Sequence, residues 1–477
     1  MADETFAERL RRLRRDPPKA TSVSPAAPAP KEEAQKHGAP DWLRERLERR
    51  RAQNPQARSG AAPSVALDPR HVRTSGTPKD LVAREGGRGA FAERVTLRPA
   101  GDLHGHFRFD EVDAAEDLAE LARDASLCAL DLRTCVYLDI ETTGLSGGAG
   151  TWPFMVALGR FVGDQFELWQ GFMRDPAEEP GVLEETAARI AQSSGVVSFF
   201  GKSFDRHRLE DKMRVHGITA PFNELPHLDL YHPLNRLYTR RSIWERLASG
   251  AQPVDGCGFR DGKLGTMEHE LCGLERGLDL SGAHAPAAWF DYLARRPHLL
   301  EEVFRHNALD VWSLVTLAAH LGRTQSERRA DGKPLEGPRL ARQLGLASLA
   351  KDRCDRARER EHLAVAKAEL GGVGPLAGLE LWAADAARLG GDTAGALQAY
   401  AALEARSDLS ERQRGTSAVE RAKLLEHHAK DLAAALRACE VARASAVRGH
   451  LGERFLAELD RRAARLEKKL GSSPPTV

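Results

Sequence analysis

VYLDIETTGLSGGAGTW, residues 136–152, runs from an apolar, β-prone start into a loop of Thr, Gly and Ser. On a strand, residues i and i+2 share a face, so Asp139 and Glu141 point the same way. Two neighbouring carboxylates in a partly buried place repel, and one is driven neutral unless a cation lies between them. Oxygen ligands of that charge density suit Mg²⁺ or Mn²⁺. Asp-x-Glu alone means little in a chain that is 29% charged. The strand before it and the loop after it give it weight.

A metal site asks for further acids, and two stand on candidate helices. Asp205, in FFGKSFDRHRL, lies near the start of a helix that follows a short strand. Asp310, in FRHNALDVWSL, has His306 four residues earlier, so both share one helix face. Four acids can hold two metal ions about 4 Å apart, the arrangement that stabilises attacking and leaving oxygens in a phosphoryl displacement. A histidine beside such a pair can take the proton of an attacking water near neutral pH.

Around these motifs, VYLDI (136–140), FMVALGRF (154–161) and QFELWQGF (165–172) read as strands, with a hairpin turn at Gly163-Asp164. VLEETAARIAQS (182–193) has helical spacing, GVVSFF (195–200) is a short buried strand, and SFDRHRLEDKMRVHG (203–217) is a helix closed by Gly217. HLLEEVFRHNALDVWSLVTLAAHL (298–321) is a long amphipathic helix. Together these predict an α/β domain over 86–325 with a mixed sheet. Residues 1–85, rich in Pro, Ala, Ser and Arg, read as a disordered basic tail with two helix candidates, 6–15 and 41–51. These two are solvated helices or a nucleic-acid- or partner-docking arm. Residues 340–470 are rich in Ala, Leu and Arg and read as all-helical. There ARLGGDTAGALQAYAALEAR (387–406) aligns with EHHAKDLAAALRACEVARAS (426–445) at an offset of 39, Asp392 falling on Asp431. The pair is similar to tetratricopeptide-type hairpins, with a plain helical bundle as the alternative.

The 477 residues suit two or three units, and 42% hydrophobic content supplies real cores. A net charge of +1 gives no global field toward nucleic acid, though local patches and bound metal can serve. Six scattered cysteines without a CxxC pair predict reduced thiols. MADETFAERLRRLRRDPPK carries charge where a signal peptide needs an apolar run, and no run of eighteen apolar residues occurs. The expectation is a soluble cytoplasmic protein with no membrane partner. The pairs His104/His106 and His227/His232 lack a third ligand nearby, so they predict no zinc site.

The order DIETTG, GK-x-FD, HN-x-x-D resembles the ribonuclease-H-like exonucleases with an Asp-Glu-Asp-Asp site. LDIETTGLSGGAGTWPFMVALG is most similar to the YprB-like branch of that superfamily, and the likeness covers roughly residues 130–322. It implies that Asp139, Glu141, Asp205 and Asp310 are metal ligands for two Mg²⁺ or Mn²⁺ ions, and that His306 is the general base. It also implies that Thr142, Thr143 and Leu145 sit against the terminal nucleotide. Two features depart from the wider pattern. The base there is a Tyr four residues before the last Asp or a His five before it, whereas His306 is a His at the Tyr spacing, as in the YprB-like branch. Phe200 precedes Gly201 where relatives often carry Asn, which implies a lost polar contact to substrate. Lys202, Arg236, Arg240 and Arg241 are candidate phosphate contacts or plain solvated cations.

The leading expectation is a metal-dependent 3′→5′ exonuclease acting on the 3′ end of single-stranded DNA or RNA. A scaffold that binds nucleic acid without cleaving it, and recruits a protein partner through the C-terminal helices, is the alternative. An endonuclease of the same fold is a third reading, which fold alone does not decide.

Overall fold

Strands that alternate apolar residues between two faces build a seven-stranded mixed sheet in the computed structural model, which describes residues 66–112, 117–144, 151–239, 247, 256–371 and 376–471. The strands are β1 (Val82–Gly86), β2 (Gly89–Pro99), β5 (Val136–Thr142), β6 (Pro153–Val162), β7 (Gln165–Phe172), β8 (Val196–Ser198) and β9 (His227–Asp229). A small ribbon, β3 (Leu103–His104) with β4 (Phe107–Arg108), stands apart. The order is β1-β2-β7-β6-β5-β8-β9, antiparallel from β1 to β5 and parallel from β5 to β9. The expected β6–β7 hairpin turns at Gly163-Asp164, with Gly163 in the left-handed region at φ +62°. Thr74 pairs with His298 and β1 starts at Val82, so the sheet domain reaches back ahead of residue 86. The expected tail helices at 6–15 and 41–51 lie outside the described residues.

The helices of the sheet domain are α1 (Leu118–Ala122), α2 (Glu179–Ala191), α3 (Asp205–Val215), α4 (Tyr231–Tyr238), α5 (Leu264–Cys272), α6 (Ala285–Leu293) and α7 (Leu300–Gly322). Strand alternation divides the core. Tyr137, Ala157, Phe166 and Leu168 face Val311, Leu314 and Val315 of α7. Leu138, Ile140, Val156 and Leu158 share the other core with Val182, Leu183 and Ile190 of α2 and Leu209 and Met213 of α3. Helix α7 lies down on β6 because Gly159 has no side chain. A Cβ there would fall 2.7 Å from Val311 Cγ1 and 2.4 Å from Phe166 Cζ. That close approach carries the middle of α7 onto the sheet beside β5.

Beyond the sheet domain come α8 (Arg339–Asp352), α9 (Arg356–Leu370), α10 (Leu376–Leu389), α11 (Thr393–Glu404), α12 (Glu411–Leu424), α13 (Leu432–Arg448) and α14 (Glu453–Gly471), each packed on the next. The aligned stretches of the sequence take matching places. Asp392 caps α11, accepting from Gly395 N at 2.9 Å, and Asp431 caps α13, accepting from Ala434 N at 2.8 Å. The first buried turn residues, Ala396 and Ala435, also match. The copies differ at the turn before α13, where Leu425–Ala429 form a π-helical turn. Its buried Glu426 takes Arg462, Arg465 and Lys469 of α14. The array joins the sheet domain through α8, whose Leu346 and Leu349 enter one core with Leu234 and Leu237 of α4. All six cysteines are free thiols.

Candidate active site

Asp139 and Glu141 share the β5 face that looks toward α7, alternating with Leu138 and Ile140 on the other face. A register shift at Glu141/Thr142 marks a bulge where the strand leaves the sheet, a device that re-aims side chains beside functional sites. Glu141 is buried and Asp139 partly so. Asp139 Oδ2 accepts from Asn307 Nδ2 at 2.6 Å. Asn307, fully buried on α7, is held by Gln170 Nε2, which donates to Asn307 Oδ1 and to the Phe304 carbonyl at 2.9 Å each. The β7 glutamine thus locks the α7 amide so that its NH₂ is turned to Asp139.

Asp205 is the first residue of α3 and is buried. The turn before it is drawn tight: a Cβ at Gly201 would lie 2.4 Å from Ser198 Oγ and 3.0 Å from Asp205 Oδ2. Buried Asp229, on β9, accepts from Phe200 N (2.7 Å), Lys202 N (3.1 Å) and Tyr231 N (3.1 Å). On the other side, Thr142 Oγ1 donates to the Gly144 carbonyl at 3.0 Å, and Thr143 Oγ1 accepts from Trp152 N at 3.0 Å. Both hydroxyls therefore shape the loop mouth. Leu145, Arg240 and Arg241 lie outside the described residues. Lys202 Nζ pairs with Asp124 at 2.9 Å and Arg236 donates to the Leu121 carbonyl at 2.6 Å, so both expected phosphate contacts have partners within the protein.

On α7, His306 Nε2 stands 3.6 Å from Asp310 Oδ2, and Nδ1 is 2.8 Å from Asp279 Oδ2. The Asp279 carboxylate can only accept, so Nδ1 carries the hydrogen and Nε2 is the free nitrogen of the neutral ring. Arg276 ties this group together. Its guanidinium grips buried Glu268, with Nη2 to Oε2 at 2.7 Å, reaches Asp279 Oδ2 at 3.0 Å, and lies 2.5 Å from Asp310 Oδ1. Ser313 Oγ donates to the same Glu268 at 2.5 Å.

Burial is the largest cause raising Asp139 and Glu141 well above the usual carboxylate range, and the charges of Asp310 and Asp205 add to it. Burial, then the charges of Asp229 and Asp310, push Asp205 up to about 8. At Asp279 burial is outweighed by His306 and Arg276, and the carboxyl is drawn down to about 2. Burial works against the His306 imidazolium, but Asp310 and Asp279 outweigh it and raise the ring above its ordinary value. Asp139, Glu141 and Asp205 all feel the Asp310 charge, so residues far apart in sequence share one electrostatic neighbourhood.

Among the described residues no three His, Cys, Asp or Glu side chains stand as a formed metal cluster. Of the four acids, Asp310 is the one that pairs with Arg276 among the described contacts. The donor set nonetheless fits a hard divalent cation. It consists of carboxylate oxygens, and Asp310 Oδ1 is buried without a hydrogen bond despite its contact with Arg276.

Sequence reasoning did not assign Glu268, Arg276, Asp279, Asn307 or Asp229. Two of them had a signal: Leu228-Asp229-Leu230 and Leu278-Asp279-Leu280 each set an acid inside an apolar triplet, where a charge needs a partner. Asn307 was visible only as the N of HN-x-x-D.

Residues 136–322 match the RNase H superfamily. Over 230 residues the chain is 28% identical to the uncharacterized protein YprB of Bacillus subtilis (strain 168), covering 47% of this chain and 51% of that protein. The chain therefore spans about half the length of this relative. No helix among the described residues is long and apolar enough to cross a membrane. The sequence match places a ribonuclease-H-like domain over residues 136–322, which hold β5 to β9 and α2 to α7.

Proposed function

We propose that this domain is a metal-dependent 3′→5′ exonuclease that hydrolyses the terminal phosphodiester of a single-stranded DNA or RNA. The observation that supports the reading is that the Asp310 charge of α7 reaches Asp139 and Glu141 of β5 and Asp205 of α3, with His306 Nε2 3.6 Å from Asp310 Oδ2. Those four acids would hold Mg²⁺ or Mn²⁺, two ions in this reading, which supply Lewis acidity and charge neutralisation at the scissile phosphate. The chain does the rest. Asn307, fixed by Gln170, holds the Asp139 carboxylate in place. His306 takes the proton of the attacking water on Nε2, while Asp279 keeps the ring in that tautomer through Nδ1. In this reading Thr142 and Thr143, whose hydroxyls shape the loop mouth, and the sequence-expected Leu145 would meet the terminal nucleotide.

The second reading, a nucleic-acid-binding scaffold that recruits a protein partner through the C-terminal helices, draws on Arg276. A guanidinium seated on Asp310 occupies one of the expected metal ligands. One experiment separates the two. A 3′-labelled single strand with Mn²⁺ should release labelled mononucleotide, and an Asp139→Ala, Asp310→Ala double variant should release none. A closed circular strand should stay intact. Release that persists in the double variant, or nicking of the circle, sinks the exonuclease; strand binding without release and without heat of Mn²⁺ binding favours the scaffold.

A further inference from the structure

Phe200 is a large aromatic residue left 44% exposed, and its backbone lies in the left-handed region at φ +63°. A bulky side chain rarely adopts that conformation, and such strain persists only where surrounding structure enforces it. Here Asp229 enforces it. The buried carboxylate accepts from the amides of Phe200, Lys202 and Tyr231, fixing the turn between β8 and α3. The strained turn presents an apolar ring to solvent where a small polar residue would sit at lower cost.

The ring is also backed. Tyr231 meets it edge-to-face, centroids 4.9 Å apart at 69°, and braces in turn against Phe199 at 5.6 Å and His232 at 5.4 Å. Phe199 packs on the main core, so the stack is rigid from below. The next residue, Gly201, is the one whose Cβ would reach to 3.0 Å from Asp205 Oδ2, so the exposed ring borders the acid cluster. A flat apolar face beside a phosphate-processing site suits a planar, uncharged group joined to a phosphate.

We propose that Phe200, braced by Tyr231, is the stacking face for an unpaired nucleobase of the strand bound at the acid cluster. The inference rests on the nuclease reading above. Stacking tolerates any base, because each has a π-face, so this contact contributes affinity for single strands rather than sequence choice.

The test is fluorescence anisotropy with a short 5′-fluorescein, phosphorothioate-linked single strand and Mn²⁺. Phe200→Ala and Phe200→Asn should weaken binding roughly five- to hundredfold, and Phe200→Trp should retain it. Phe200→Asn should melt no lower than the wild type, because Asn accepts the left-handed conformation. Scanning an abasic site along the strand should find one position that weakens wild-type binding and leaves Phe200→Ala unaffected. Three results overturn the platform while leaving the nuclease reading intact: Phe200→Ala binding as tightly as wild type, Phe200→Asn losing melting temperature together with affinity, or an abasic penalty equal in both proteins at every position. A wild type that does not bind the strand at all overturns both.

Discussion

At the level of single residues, the site is held between two opposed demands on charge. Asp205 has its pKa pushed up to about 8 in the fold against 3.8 for a free side chain. A raised carboxylate pKa means the folded state binds the extra proton between those values, so stability falls as pH rises through that window. In chelator, Asp205→Asn should therefore melt close to wild type near pH 5 and several degrees above it near pH 8. A gap that does not widen with pH contradicts the burial and charge assigned to Asp205. His306 has the opposite kind of neighbour. Asp310 and Asp279 outweigh its burial and raise its pKa, and in the proposed role of general base the ring must be neutral to act. Asp279→Asn removes one of those charges, so the ascending limb of the pH–rate profile should move toward acid. The maximal rate should also fall by on the order of ten- to a hundredfold, part of what a positioned base contributes. A rate loss with an unmoved profile would show that Asp279 does not act through the ring. Asp139, Glu141, Asp205, Asp310 and His306 each sit in a short sequence motif, which is why the sequence offered them as candidates; the influence of the Asp310 charge on Asp139, Glu141 and Asp205 appears only in the fold. Glu268, Arg276 and Asp279 were not readable, because their meaning comes from contacts across 27 to 45 positions, such as Asp279 with His306 and Glu268 with Ser313.

Among the elements, long periodic segments and the apolar β8 were readable, whereas the charge-bearing β2 and β9 were not. The β6–β7 hairpin, α3 and α7 follow their hydrophobic periods. Strand β2 is disguised by its arginines. Arg94 lies over the Phe304 ring at 4.2 Å and pairs with Glu301 at 3.1 Å, and Arg98 lies over Trp312 at 4.9 Å, so cations that look solvated in the sequence cover the sheet. Strand β9 has only three residues, too few for a period of two to declare itself. Two outcomes follow at this scale. Gly159→Ala should cost well over 1 kcal/mol, because overpacking at the α7–β6 crossing forces backbone shifts. It should also lower activity more than a surface change of equal cost, since α7 carries His306, Asn307 and Asp310; denaturant melts alongside strand-release rates check both. Asp392→Ala and Asp431→Ala should each destabilise by about 1 kcal/mol, the usual worth of a helix N-cap. Unequal losses in urea melts would mean that the two hairpins are not equivalent units.

For the molecule as a whole, the C-terminal helices are not a loose appendage to the sheet. Leu346 and Leu349 of α8 complete a core with Leu234 and Leu237 of α4, and Arg123–Asp352 and Arg353–Glu120 ion pairs cross the same join. A chain ending at Gly337 should therefore expose Leu234 and Leu237, melt well below the full chain and bind a hydrophobic dye. An unchanged melting temperature would make the two parts independent. This coupling was hidden in the sequence, because the change of composition near residue 340 reads as a boundary while α8 belongs to both sides. The central claim concerns the middle of α7, where Asp310, together with acids from β5 and α3, is proposed to cradle divalent cations. Anomalous diffraction from a crystal soaked in Mn²⁺ tests it most directly. The account predicts two manganese peaks ligated by Asp139, Glu141, Asp205 and Asp310, with the Arg276 guanidinium withdrawn from Asp310 Oδ1. Its contradiction would be a map with no peak among those acids and Arg276 still seated on Asp310.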